Sequence, residues 1–252
     1  MNRSIRYLKR TDDLFGPFLL KLSATLKREA SPRLSMQGTK RLLIIRPGGI
    51  GDAALLMPSL KILRETLPEA KIHILCEPRN LEVFLNSPFV DRILNYRKIE
   101  HIIRLKQTLY DIIFDTEQSH FLTGALVSML NSRLKVGFAT QGRESVYDLG
   151  VDYSHGQYEA ESFFRLFSEA IETFAVDRKW QFPYFFPSNE AVEKVDALVG
   201  EVKSPIVCLF PGASIKERLW PADRWAKVVA ELWGGRLSAR TIRGESRITT
   251  LS

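Results

Sequence analysis

A glycine-rich turn that carries one carboxylate is the part of this sequence most suited to chemistry. The stretch RPGGIGDAALLMP places Gly48, Gly49, Gly51 and Asp52 between an apolar run and a leucine-rich segment. Glycine turns that follow a strand and open a helix commonly bind phosphate through backbone amides. A carboxylate in that turn would repel a phosphate, although helix N-terminal amides could hold one of the two anions. Asp52 is therefore interpreted either as a helix cap, worth about 1 kcal/mol, or as a positioned base.

The same turn also fits a dinucleotide-binding pattern. Gly49, Gly51 and Ala54 match G-x-G-x-x-A, and Glu77 ends the next apolar run, where an acid could bind a ribose. This pattern predicts, as the alternative function, an oxidoreductase that binds NAD(P). Asp52 argues against it, because its carboxylate would stand where the pyrophosphate must approach.

Other polar residues give weaker signals. Asp111 and Asp115 flank the run IIF and are interpreted as a cap and a turn residue, or as side chains that point into a cleft from a strand end. His155 and Glu159, four residues apart, could line a binding site, although a solvated cap is the favoured interpretation of the histidine. The four histidines and two cysteines show no metal-ligand spacing, so no metal is expected.

Segments typical of strands and helices alternate from residue 41 onward. The runs RLLIIR, KIHILCE, VDRILNY, YDIIFDTE and KVGF predict strands, with helices between them, SLKILRETLP being the first. This alternation predicts an α/β fold with right-handed crossovers on a doubly wound parallel sheet. The first domain is assigned to residues 41–175, and its last helix, 159–175, could bridge to a second domain.

The alternation of strands and helices resumes in a second region and then stops. Residues 176–235 are predicted to contain a linker and the start of a second domain, in which PIVCLF is a strand before a glycine turn. The following helix, ADRWAKVVAELW, places Trp225, Val228, Val229 and Leu232 on one face. Residues 236–252 have no usable period and are assigned as an atypical tail.

Composition limits the partners and the compartment. A formal net charge of +7 and a pI of about 9.4 favour an anionic partner, and no aromatic-and-basic array supports nucleic acid. Cys76 and Cys208 lie in apolar runs and are predicted to be buried, reduced thiols, which suits the cytoplasm. No secretory signal is recognised and no apolar run is long enough to span a membrane.

Residues 1–40 are basic and carry leucines at helical spacing. Such a segment could lie on an anionic membrane, with lysines at the headgroups. It could equally be a helix that packs against the body of the protein, and both interpretations stay open.

Two blocks of the sequence resemble glycosyltransferase family 9, the lipopolysaccharide heptosyltransferases. RLLIIRPGGIGDAALLMP is similar to that family's first strand and R-x-x-x-[IL]-G-D turn, and FPGASIKERLWPADRWAKVVAEL is similar to its second signature. The resemblance covers roughly residues 40–235. It implies a two-domain GT-B architecture with the active site between the domains, of which the second is incomplete here.

The resemblance also implies roles for particular residues. Asp52 matches the catalytic aspartate, which would take a proton from the acceptor hydroxyl, and Gly48, Gly49 and Gly51 would form the acceptor-side loop. The donor would be a nucleotide-sugar, typically ADP-heptose, and the acceptor a lipid-linked acidic glycan on the cytoplasmic face of the membrane. No cofactor would be needed. The donor's phosphates would meet a second group of residues: Gly212, Ala213, Ser214, Lys216 and Arg218.

The sequence departs from the family pattern in two places. Arg218 stands two residues before the tryptophan of W-P, where the family usually has lysine, and Lys216 lies two residues further back. Either could screen phosphate, or both could be exposed loop charges. Nothing in 236–252 resembles the later nucleotide-site segments, so we expect the chain alone to transfer sugar poorly or not at all. A non-catalytic remnant, folded only in its first domain, is a further alternative.

Overall fold

The computed structural model describes residues 12, 16–18, 20, 38–174, 182–200, 207–213, 216–234, 240–243 and 247–250, the last two ranges as backbone. The chain divides into two compact units, Ser4–Ser188 and a second built mainly from Asn189–Ser252.

The first unit is an α/β layer structure around a single sheet. Its elements are listed here in chain order: β1 Arg41–Arg46, α1 Ile50–Thr66, β2 Lys71–Cys76, a 3₁₀ turn Leu81–Val83, β3 Arg92–Asn95, α2 Ile99–Gln107, β4 Tyr110–Asp115, α3 Phe121–Ser128, β5 Ser132–Phe138, a 3₁₀ turn Arg143–Val146, β6 Leu149–Val151 and α4 Glu159–Ala170. The predicted strands are thus confirmed, and β6 is an additional one.

All six strands run parallel in the order β3-β2-β1-β4-β5-β6. This order confirms the predicted doubly wound α/β fold. It arises because the chain builds outward from β1 to β3, returns through α2, and then builds in the other direction from β4. The carboxyl ends of β1 and β4 are therefore neighbours whose loops diverge, and such a switch point leaves a crevice for ligands.

Both faces of the sheet are covered, which explains why β1 reads as one continuous apolar run. Leu42 and Ile44 face a core formed with α1 and α4, whereas Leu43 and Ile45 face a core formed with α2 and α3. Helix α4 packs its three buried phenylalanines, Phe163, Phe164 and Phe167, into the first of these cores. Its apolar face packs on the first unit, and the suggestion that this helix bridges to a second domain stays a prediction.

Helix α1 begins earlier than the sequence suggested. The prediction started it at SLKILRETLP, but it runs from Ile50 and contains Pro58, which is buried. Proline lacks one helix hydrogen bond, and the burial of Leu56, Met57 and Leu60 around it compensates for that loss. Gly51 and Asp52 consequently belong to the first helical turn.

The described residues of the N-terminal segment contact α3. Both carboxylate oxygens of Asp12 accept hydrogen bonds from α3 backbone amides, of Phe121 at 3.0 Å and of Leu122 at 2.7 Å. Leu20 is buried in the core beneath, whereas Phe18 is exposed. Packing against the body is therefore correct for these residues. Within the described part of the chain, no helix is both long and apolar enough to cross a bilayer.

The first compact unit continues past the predicted domain end at residue 175. Tyr184 is buried and Phe186 packs edge-on against Phe89 at 5.5 Å between ring centroids. The segment 182–188 therefore stays with the first unit.

The second unit contains α5 Asn189–Val199, a 3₁₀ turn Lys216–Arg218, α6 Ala222–Gly234 and an antiparallel pair, β7 Arg240–Arg243 with β8 Arg247–Thr250. Helix α6 confirms the predicted helix, and Trp225 packs edge-on against Trp220 at 5.1 Å. The short hairpin was not expected from the tail, whose sequence has no alternating pattern.

The strand predicted at PIVCLF is not formed in the described residues 207–213, which have no regular structure. Leu209 and Phe210 are exposed, Phe210 to 86%. A strand needs a paired neighbour, and the described part of the second unit offers none beside this segment. Cys208 is exposed for the same reason, which corrects the prediction of a buried thiol there. Cys76 is buried as predicted, and burial raises the pKa of its thiol to about 12.

The packing of β5 gives a test of the first unit. A methyl group on Gly137 would overlap the ring of Tyr147, which is buried and hydrogen-bonded through its hydroxyl. We expect Gly137→Ala to lower the free energy of unfolding by about 1–3 kcal/mol, measured by urea denaturation. Gly156→Ala, where the nearest atom would be Ser154 Oγ at 3.8 Å, is the control. Equal stability of the two variants would contradict the packing described.

Candidate active site at the carboxyl edge of the sheet

The crevice at the switch point is lined by the residues that follow β1 and β4. From β1 come Arg46 and the turn that leads to Asp52, and from the loop just after β4 comes Glu117. Because β1 and β4 are hydrogen-bonded neighbours, residues far apart in sequence meet here.

Asp52 lies in the first turn of α1, after Gly49 as the N-cap residue. Its side chain is 44% exposed and one oxygen, Oδ2, lies 4.0 Å from Nη2 of Arg46. A carboxylate in this position interacts favourably with the helix N-terminus, and Gly49 itself supplies no side-chain cap. Asp52 therefore has a charged partner behind it and an open side toward solvent, which suits a group that exchanges protons with a ligand.

Arg46 has no role assigned from the sequence, although it is the first residue of the R-x-x-x-[IL]-G-D turn. It is 1% exposed and its guanidinium donates to Pro47 O at 2.6 Å, to Thr116 O at 2.7 Å and to Glu117 Oε2 at 3.2 Å. Its Cζ atom lies 5.7 Å from the centre of the Phe163 ring. The signal in the sequence was its position, because an arginine ends a strand that is otherwise apolar. A buried charge is found in such a place only when it is paired.

Glu117 is the buried counter-ion of Arg46. Its Oε1 accepts from the backbone amide of Ser119 at 2.8 Å and lies 2.9 Å from Nδ1 of His120. Burial by itself would raise the pKa of Glu117, but His120, Arg46 and the Ser119 amide outweigh it and lower the pKa to about 2. Glu117 is thus a permanent anion that fixes Arg46 and is not a proton carrier at neutral pH.

A second buried network stands behind the first. Asp115 accepts from Tyr147 Oη at 2.8 Å and from Arg143 Nη2 at 2.7 Å, and the same Nη2 donates to Thr123 Oγ1 at 2.9 Å. Asp115 and Arg143 are both fully buried. Asp115 is therefore a structural anion, neither a turn residue nor a cleft residue.

Asp111 lies at the other end of β4. It accepts from the backbone amides of Lys40 at 2.8 Å and of Arg41 at 2.9 Å, and so joins the start of β1 to that of β4. Neither acid that flanks IIF faces the site.

Glu159 and Tyr153 form the other polar group near Asp52. Tyr153 Oη donates to Glu159 Oε2 at 2.7 Å, whereas Oε1 of Glu159 is covered and has no hydrogen-bond partner. Burial is the largest cause that raises the pKa of Glu159, and the charges of Asp52 and Glu117 raise it further, against Tyr153 and Arg46. His155 is exposed and stands edge-on to Tyr153, with 5.0 Å between the ring centroids.

Gly48 occupies a position in the turn that requires a glycine. Gly48 has φ +95°, and a Cβ there would approach Nη2 of Arg46 to 3.2 Å, so both conformation and space favour glycine. Its amide donates to Glu77 Oε1 at 3.3 Å, and Glu77 Oε2 pairs with Arg79 at 2.8 Å. The acid that a dinucleotide site would use for a ribose is therefore engaged with the turn itself.

Of the residues predicted to hold the donor phosphates, the structure describes Gly212, Ala213 and Arg218 in full. Gly212 and Ala213 are exposed and lack regular structure, and Arg218 is exposed at the end of a 3₁₀ turn. Ser214 and the side chain of Lys216 lie outside the described residues. Elsewhere in the described chain, no group of three or more His, Cys, Asp or Glu side chains is placed to hold a metal ion.

Comparisons with known proteins identify the class of this fold. Solved glycosyltransferases of the GT-B type share the fold. The E. coli heptosyltransferase WaaC with ADP aligns with a TM-score of 0.56 at 17% identity, over 79% of this chain and 65% of that one. A family 9 glycosyltransferase from Veillonella parvula aligns with a TM-score of 0.61 at 16% identity, over 82% and 62%.

E. coli ADP-heptose lps heptosyltransferase II aligns with a TM-score of 0.57 at 14% identity, over 77% of this chain and 62% of that one. At these identities the likeness concerns the fold, and the chain spans about two thirds of the length of the structures that it matches. Among curated protein sequences no match was found.

The family is established by sequence. The profile of glycosyltransferase family 9 (heptosyltransferase) matches residues 99–234, which is more than half of the chain. This protein belongs to glycosyltransferase family 9. The match does not include the turn with Asp52, so the role of that residue depends on its geometry and on the motif around it.

The buried pair of Arg46 and Glu117 gives a stability prediction. Glu117→Gln leaves Arg46 buried without a counter-ion, and we expect it to cost about 3 kcal/mol of unfolding free energy at pH 7. The folded pKa of Glu117 is depressed from 4.5 to about 2, so its contribution is complete above pH 4.5 and is lost as pH falls toward 2.

Urea unfolding of the wild type and Glu117→Gln across that pH range measures the effect, with the exposed Glu82→Gln as control. A difference that stays constant down to pH 2 would contradict the assignment of Glu117 as the anion of the pair.

For Glu159 we expect the opposite effect of pH on stability. A carboxyl whose pKa is raised by folding lowers stability once it is ionised, so Glu159→Gln should melt at the same or a higher temperature than wild type at pH 7. The gain should shrink as pH falls from the raised pKa of the folded state toward the ordinary value of 4.5. Differential scanning calorimetry at pH 7 and below the ordinary pKa of 4.5 decides, with the exposed Glu169→Gln on the same helix as control. A clear loss of stability at pH 7 would rule out a strained carboxylate.

Proposed function

We propose that this chain transfers a sugar, heptose, from ADP-heptose to a lipid-linked acidic glycan of the lipopolysaccharide core, with inversion and without a metal. The observation that carries this proposal is the position of Asp52: a half-exposed carboxylate at the switch point of the sheet, backed by the buried Arg46. Membership of glycosyltransferase family 9 supports the reaction class. The structures with ADP and with ADP-2-deoxy-2-fluoro heptose support the choice of donor for their own proteins and, by extension, for this one.

In the proposed reaction, Asp52 accepts the proton of an acceptor hydroxyl as that oxygen attacks the anomeric carbon of the donor. The bond from this carbon to the diphosphate breaks on the opposite face, so the configuration inverts. The product is a new glycosidic bond, ADP, and a proton on Asp52 that passes to water. Gly48, Gly49 and Gly51 would let the acceptor approach the turn closely, because they place no side chain there.

The charge that develops on the diphosphate would be stabilised by a second group of residues. We assign this role to the backbone amides of Gly212, Ala213 and Ser214 and to the cations of Lys216 and Arg218. The proposal is supported by their place in the second signature block, which lies inside the region matched by the family.

The acidic side chains around Asp52 differ in whether they are already paired. Glu117 and Asp115 are consumed by Arg46 and Arg143, which leaves Asp52 and Glu159 as the acidic groups with free oxygens near the turn. A net charge of +7 for the whole chain favours an acidic acceptor and a cytoplasmic location on the anionic face of the membrane.

The dinucleotide alternative gains no support from the comparisons reported. The site also disfavours it, since both oxygens of Glu77 are already engaged, Oε1 by the amide of Gly48 and Oε2 by Arg79. In a thermal-shift titration, ADP-heptose or acceptor should stabilise the protein and NADH should not. Stabilisation by NADH alone would reverse this assignment.

Asp52→Asn is the direct test of the proposed chemistry. The amide keeps the size of the side chain but cannot accept the proton, so we expect a 10²- to 10⁴-fold lower transfer rate with unchanged acceptor binding. The assay uses ADP-heptose and a deacylated, heptose-free lipopolysaccharide core, with protein in excess so that slow single turnovers are measurable. Asp196→Asn, an exposed aspartate of α5, is the matched control.

Equal rates for wild type and Asp52→Asn would refute the role of Asp52. A wild type that binds the acceptor in saturation-transfer NMR but never transfers sugar would instead favour the non-catalytic remnant. The expectation that the chain alone transfers poorly stays a prediction until this rate is known.

A further inference from the structure

Helix α2 carries an apolar stripe on its outer face. Ile99 and Ile103 are 69% and 49% exposed, and their spacing of four residues places them one above the other. The helix packs through a different face, because Leu105 is fully buried in the core beneath it. The side chains of the two isoleucines therefore do not contribute to the buried core.

Exposed cations surround this stripe. Four of them lie on or next to the helix: Arg97, Lys98, Arg104 and Lys106. Among the described residues none of these four side chains forms an ion pair, and the helix has one acid, Glu100, in its first turn. An apolar stripe flanked by unpaired cations is the pattern of a helix that lies in an anionic membrane interface.

The same side of the sheet exposes a second apolar group. Helices α2 and α3 share one core, and the N-terminal segment joins it through Leu20. From this segment Phe18 is exposed to 67%. The N-terminal segment can thus pack on the body through one face and still present an apolar side chain outward, so the two interpretations left open by the sequence do not exclude each other.

Another exposed apolar pair shows that charge makes the difference. Val192 and Val195 on α5 are also exposed, but their neighbours include Glu190, Glu193 and Asp196. An anionic surface would repel that helix. The chain therefore contains both a surface that complements anionic lipid and a similar one that does not.

We infer that the outer face of α2 docks on an anionic lipid surface, with Ile99 and Ile103 inserted below the headgroups and the four cations among them. A single two-turn stripe is much smaller than the roughly 800 Å² per partner of a stable protein interface. A bilayer accepts isolated side chains without a complementary pocket. Lipid is thus the occupant that this small, basic and apolar face fits best.

The position of α2 gives the docking a purpose. Its first turn follows the carboxyl end of β3, which is two strands from β1 in the sheet. At about 4.8 Å per strand, the two ends are roughly 10 Å apart across the sheet. Docking through α2 would place the edge that bears Asp52 near the headgroups, where a lipid-linked acceptor begins. This purpose rests on the proposed function, whereas lipid binding itself does not.

Vesicle sedimentation tests the inference without any sugar. The full chain should bind vesicles of phosphatidylglycerol and phosphatidylethanolamine, bind pure phosphatidylcholine weakly, and lose binding at high salt. Ile99→Ser with Ile103→Ser should lower partitioning by about tenfold or more, and Lys98→Ala with Arg104→Ala by on the order of tenfold. Val192→Ser with Val195→Ser is the matched control and should bind like wild type.

All substituted side chains are exposed, so circular dichroism and melting temperature should not change. Absence of binding to the anionic vesicles would overturn the inference. So would wild-type binding by the isoleucine variant, including the case in which Phe18→Ser alone removes it, because the N-terminal segment would then be the anchor. Loss of transfer in Asp52→Asn with normal vesicle binding would leave the docking intact, which separates this inference from the proposed reaction.

Discussion

The site depends on a buried cation between two strand ends. Arg46 is buried at the end of β1 and donates hydrogen bonds to Thr116 and Glu117, just after the end of β4. It therefore joins the two loops that diverge at the switch point. Transfer of a guanidinium into the interior is costly unless every donor finds an acceptor. The carbonyls of Pro47 and Thr116 and the Glu117 carboxylate give each of its three nitrogens an acceptor, and the nitrogen that faces Asp52 is thereby fixed in place.

Two glutamates of one local environment illustrate how contacts decide the chemistry of a residue type. Glu117 lies between Arg46 and His120, and the pKa falls to about 2 despite burial. Glu159 has one tyrosine hydroxyl and a covered oxygen without partner, so burial raises its pKa. The first is therefore a structural anion and the second a strained group beside the candidate base, which is a common feature of functional sites.

The two units differ in how far their sequence patterns are realised. In the first, each apolar run finds a neighbour, and α1 to α4 cover both faces of a six-stranded sheet. In the second, PIVCLF has the composition of a buried strand, yet its described residues are exposed and irregular. A strand is a property of a pair, since its backbone groups need partners, and the pattern alone does not supply them.

The sequence by itself determined the periodic features: the parallel α/β fold of the first unit, the helix at ADRWAKVVAELW, and the turn that presents Asp52. These depend on local spacing and on motifs that lie together in the chain. Only the tertiary structure decided which acids are free. Asp115, Glu117, Glu77 and Asp111 are alike in sequence, but Arg143, Arg46, the Gly48 amide and the Lys40 amide consume them across distances of 28 to 71 residues. Such pairing is fixed by strand order, which no local pattern records.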